Sequence, residues 1–174
     1  MDLSIAATEI IDMRSFSSMW FWITLAVFWS AMSHYAVGVP YEMVQRAFRR
    51  DDESMWRDVE TLARINSERL LVIGSTAGVF VAAAAGFLLT TLFVLGFFYS
   101  VEFCQAAFFI AFPFTLVGVL SQRTARLILE IQPKGPDLGR GLRRHRVYVQ
   151  IIGLVSIVVT AFWGVFHVLS TGVL

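Results

Sequence analysis

The residues with chemistry to offer are few and scattered. Three histidines (His34, His145, His167), one cysteine (Cys104) and one carboxylate within apolar sequence (Glu102) are the candidates. A single thiol cannot form a disulfide within the chain, a cysteine-rich zinc site or a four-cysteine cluster. The sequence holds no H-E-x-x-H, no G-x-S-x-G and no phosphate-cradling glycine loop. Ser30, Ser33, Ser75 and Ser156 have no patterned Lys or His–Asp partner to activate them. These absences predict no catalytic residue, no metal and no cofactor, and hence no enzyme.

What must position these groups is an apolar scaffold. Of 174 residues, 57% are hydrophobic and only 16% charged, against about 25% charged in soluble domains. Segments 15–41, 70–101, 103–122 and 147–174 contain no Asp, Glu, Lys or Arg and run to 27, 32, 20 and 28 residues. A hydrocarbon core about 30 Å thick needs about 20 apolar helical residues, so each segment can cross it. A soluble globular enzyme, a disordered chain and a disulfide scaffold are excluded. Between residues 70 and 122 the only charge is Glu102. A straight helix of that length would measure about 80 Å, so the chain must reverse, and Gly96, Tyr99, Ser100 and Glu102 suit the turn.

The expected fold is all-α: a single membrane domain over 1–174, an integral four-helix bundle of two parallel-oriented helical hairpins. Its spans fall at 17–39, 70–96, 102–121 and 147–170, with loops at 40–69 and 122–146. The flank 1–18 is acidic, unlike the positive n-region of a signal peptide, so the first span is expected to be retained. Thirteen of fourteen Lys and Arg lie in the two long loops, which the positive-inside rule places in the cytoplasm with both termini outside. The chain is thus expected to cross its membrane four times. Trp20 and Trp22 fall at the outer edge, and Tyr41 and Tyr148 at the inner one.

The loops differ. In 42–69 six Arg face seven acids, and Met55, Val59, Leu62 and Ile65 recur at helical spacing. Asp51-Asp52-Glu53-Ser54 offers a turn and an N-cap. A helical hairpin extending into the cytoplasm follows, its second arm running into the second span. Loop 123–146 carries seven basic and two acidic residues with Pro133, Gly135, Pro136, Gly139 and Gly141, and reads as a flexible connector touching anionic headgroups or a specific partner. Nucleic acid is not expected, because no recognition module accompanies the charge. Val37-Gly38-Val39 and Val117-Gly118-Val119, with Val72-Ile73-Gly74 and Ile151-Ile152-Gly153, raise an internal parallel duplication.

Small residues mark packing faces. Gly74, Gly78, Ala82 and Gly86 fall at strict four-residue spacing, and Ser156, Thr160 and Gly164 repeat the pattern in the fourth span. Such ridges let backbones approach closely in lipid, within the bundle or against another membrane protein. Pro113 should bend the third span. The intramembrane polar residues are His34, His167 and Glu102. His34 and His167 differ in depth by about 22 Å and cannot flank one haem iron, whereas Glu102 and His167 lie at one level.

Asp12-Met-Arg-Ser-Phe16, the Trp-rich first span, Ser33-His34 with Val37-Gly38-Val39-Pro40, Val101-Glu102-Phe103 and Arg123-Thr-Ala-Arg126 form a recognisable set. By these, nearly the whole chain resembles a family of uncharacterised four-span inner-membrane proteins of alphaproteobacteria. Its members are sometimes labelled a component of the Suf iron–sulfur assembly complex. That resemblance implies docking through the 42–69 hairpin, since one cysteine at the outer edge of the third span cannot scaffold a cytoplasmic cluster. The expected function is a non-enzymatic accessory or scaffold subunit, partnered by the lipid bilayer and by another membrane protein or a second copy of itself. A small oligomeric channel or transporter is the alternative.

Overall fold

The computed structural model describes residues 19–50 and 52–170. The start of the first span and its acidic flank therefore lie outside the described residues, as do Asp51 and the tail 171–174. In chain order the elements are α1 (Met19–His34), β1 (Tyr35–Ala36), β2 (Val39–Pro40), α2 (Tyr41–Arg50), α3 (Glu53–Thr76), α4 (Gly78–Phe93), a π-helical turn (Val94–Phe98), α5 (Glu102–Ile131) and α6 (Gly135–Ser170). Among the described residues the chain is almost entirely helical, and three helical segments are long and apolar enough to cross a membrane: Gly78–Phe98, Glu102–Ile131 and Gly135–His167.

The first apolar stretch is not one helix to residue 39. α1 stops at His34, and residues 35–40 form an antiparallel hairpin pairing Tyr35 with Pro40 and Ala36 with Val39. Its two-residue turn puts Val37 at φ 51° and Gly38 at φ 74°, the two positive φ values that a type I′ turn demands. A β-branched residue adopts that conformation only under constraint. Part of the constraint is visible: Asn66 Nδ2 donates to the Gly38 carbonyl at 3.1 Å. Arg146 from α6 closes the end of α1, its Nε donating to the Ser33 carbonyl at 2.9 Å and its guanidinium lying 3.9 Å from the centre of the Tyr41 ring. Val37-Gly38-Val39 is thus a turn, whereas Val117-Gly118-Val119 is helical, so the matching tripeptides serve different structures.

The basic connector is also more ordered than its Pro and Gly content predicts. α5 continues to Ile131 and α6 begins at Gly135, leaving Gln132–Lys134 to turn the chain. Gln132 supplies the left-handed residue ending α5, at φ 49°. Pro136 sits in the first turn of α6, where a missing N–H costs nothing. Glu60 secures the corner: its carboxylate accepts from the Gly135 amide at 2.6 Å, placing negative charge at a helix N-terminus. At the α2–α3 junction Asp52 accepts from the Ser54 amide at 2.9 Å, and that bond holds the Asp52 carboxyl below its ordinary range.

The larger core lies at this arginine-rich end. Val39, Val44, Val59, Ala63, Ala125, Leu138 and Leu142 are buried together there with Trp56. Phe48 meets Trp56 edge-on at 4.8 Å, and Gly139 lets α6 pass beside them. A Cβ on Gly139 would come within 2.6 Å of the Phe48 ring and 2.8 Å of the Trp56 ring, whereas one on Gly141 would meet nothing within 4 Å. Gly139→Ala should therefore lose about 1–3 kcal/mol by overpacking, and Gly141→Ala should lose none. Reversible unfolding of each variant in detergent–lipid micelles measures both.

Candidate functional site

In hydrocarbon a polar group must find its partner within the protein, and this chain aligns several polar side chains on one seam between α5 and α6. At one end Glu102 Oε2 stands 3.6 Å from His167 Nε2, with both side chains largely buried. One turn along, Gln105 donates from Nε2 to the Gly96 carbonyl at 2.8 Å and accepts from Trp163 Nε1 at 3.0 Å. Gly96 must be glycine for this: a Cβ would come within 2.9 Å of the Gln105 backbone nitrogen. Phe97 and Phe109 pack beside the seam, with ring centres 5.2 Å and 5.9 Å from Trp163.

The next contact answers Pro113. Proline has no N–H, so within α5 the Phe109 carbonyl four residues earlier loses its helical donor. Ser156 from α6 replaces it, donating from Oγ to that carbonyl at 3.1 Å. Thr160 turns back on its own helix, donating to the Ser156 carbonyl at 2.7 Å. Toward the arginine-rich end Thr124 donates to the Leu120 carbonyl at 2.9 Å and lies 3.0 Å from Nδ1 of buried His145.

The small-residue ridges divide. Ser156, Thr160 and Gly164 are buried, and the first of these touches α5 directly. Gly74 approaches the Gln122 side chain, 3.5 Å from where its Cβ would be. Gly78 and Gly86 have nothing within 4 Å, Ala82 is exposed, and α4 buries no residue between Gly78 and Phe93. In α1, Ala26, Ser30 and His34 are likewise exposed while Leu25 and Trp29 are buried. His34 stands 3.9 Å from Glu42, so His34 and His167 face different carboxylates. Among the described residues no group of three His, Cys, Asp or Glu is placed to hold a metal ion.

Sequence reasoning missed Gln105, Trp163 and the Ser33 carbonyl as polar partners. Only Pro113 carried a readable signal, since it announces an orphaned carbonyl four residues back. Comparison with protein-family models, curated proteins and solved structures finds no match.

The proline–serine pairing makes a coupling prediction. Ser156→Ala should cost about 1 kcal/mol, and the cost should shrink when Pro113→Ala restores an N–H to the Phe109 carbonyl. Unfolding of the two single variants and the double variant measures it; equal costs in both backgrounds would contradict the assignment.

Proposed function

We propose that this protein is a non-enzymatic membrane scaffold whose α4 docks laterally against a helix of another integral membrane protein. One observation carries the reading: α4 is apolar along its length, packs against α5 on one side, and leaves the face of Ala82 and Gly86 uncovered among the described residues. Ala82 and Gly86 leave a shallow strip beside Phe80 and Phe87, which are 79% and 76% exposed. A second helix can approach such a strip closely enough for backbone contact.

The membrane arrangement belongs to the same proposal. The 16 residues of α1 cover about 24 Å, and α1 makes a fourth crossing of an inner membrane. The arginine-rich ends of α3, α5 and α6 lie in the cytoplasm under the positive-inside rule, and both termini lie outside. The α2–α3 pair then offers a charged cytoplasmic surface. The alphaproteobacterial family resemblance adds a candidate for it: an iron–sulfur assembly component docking there, with the cluster held by the partner.

Crosslinked or mildly solubilised membranes containing the tagged full chain should yield a defined co-purifying membrane protein. Ala82→Leu with Gly86→Leu should cut its recovery about tenfold without altering the chain's own unfolding, because neither site touches the rest of the molecule. A monomer with nothing attached would refute the proposal.

A further inference from the structure

We infer that a cavity at the arginine-rich end binds one anionic phospholipid, its phosphate on Arg69 and its first acyl carbons between α3, α5 and α6. The cavity has a volume of about 360 Å³, within the range of small-ligand sites. Its walls are graded. α3 contributes Ile73 and then, one turn nearer the arginine-rich end, Arg69; α5 contributes Val117 and then Ser121. α6 contributes Val149 and then His145, and the first helix contributes Met32 ahead of Tyr35 in the hairpin. Three separate helices thus change from apolar to polar in the same direction, toward the charged end of the molecule.

That gradient selects an amphiphile. Free phosphate would satisfy the polar end and leave the apolar walls without contacts, whereas a neutral hydrocarbon would strand the guanidinium. Arg69 has the charge and fork geometry for a phosphate, and none of the ion pairs among the described residues engages it. Asn66, on the same wall, spends one Nδ2 proton on the Gly38 carbonyl, and the second proton of that amide remains a donor. The headgroup would then rest against the hairpin turn and tie α1 to α3, a junction that the lipid strengthens from outside the polypeptide.

The test uses the full chain in bilayer discs of phosphatidylcholine doped with phosphatidylglycerol, released into mild detergent for native mass spectrometry. One phosphatidylglycerol should remain bound. Arg69→Gln should lower its occupancy at least about tenfold, Arg69→Lys should keep most of it, and Ile73→Trp should expel it by filling the apolar half. Arg140→Gln, at an exposed arginine elsewhere, should change nothing. Occupancy unchanged by both Arg69→Gln and Ile73→Trp would overturn the inference. So would Arg69-dependent retention of added inorganic phosphate with no phospholipid adduct.

Discussion

A carbonyl without a donor is cheap in water and costly in hydrocarbon, and that difference organises this molecule. The helices satisfy their own backbones, so the tertiary hydrogen bonds cluster where a helix is broken. Pro113 orphans the Phe109 carbonyl and Ser156 recovers it. The π-helical turn at Val94–Phe98 leaves the Gly96 carbonyl to Gln105. α1 ends at His34, and Arg146 reaches the Ser33 carbonyl. Each repair crosses between elements and therefore also fixes how they sit together.

Two packing regimes follow. At the arginine-rich end, where water drives apolar burial, Val, Leu, Ala and Trp side chains from α2, α3, α5 and α6 with the hairpin form a closed core. Along the apolar helices the hydrophobic effect offers nothing to choose between protein and lipid. There the contacts are polar bonds on the α5–α6 seam, rings such as Phe97, Phe109 and Trp163, and a smaller apolar cluster of Leu25, Trp29, Val117 and Val149. α4 lies along α5, with Phe93 against Phe108, and presents Val79, Phe80 and Phe87 outward. α5 and α6, at 30 and 36 residues, extend about 45 and 54 Å. Both exceed the hydrocarbon thickness, so they carry the apolar layer and the charged core on the same continuous rods.

Much of this was legible in the sequence. Charge-free length located three apolar helices and the reversal near Glu102, and the Asp51–Ser54 run marked the Asp52 cap, because each depends on local chemistry. The hairpin at Val37-Gly38 was not, since it interrupts an apolar run that a helix could equally continue. Nor was the helical course of residues 123–131: the Pro and Gly residues that suggest a loose connector begin only at Pro133. Glu60 could be read as an i,i+4 partner of Arg64, yet it caps α6 from 75 residues away. Helical spacing likewise showed that Gly78, Ala82 and Gly86 share a face with Ser156 and Thr160 as their counterparts in α6. It carried no information on whether a neighbour stands opposite, and for the face of Ala82 and Gly86 none does among the described residues.

The central claim, that α4 lies in hydrocarbon with its outer face away from water, has a direct physical measurement. A nitroxide is attached at Phe87→Cys in a Cys104→Ala background, the protein is placed in lipid, and relaxation by oxygen is compared with relaxation by a water-soluble nickel chelate. The account predicts strong oxygen and negligible nickel relaxation there, with the reverse at Arg140→Cys. Nickel relaxation at Phe87 equal to that at Arg140 would contradict it.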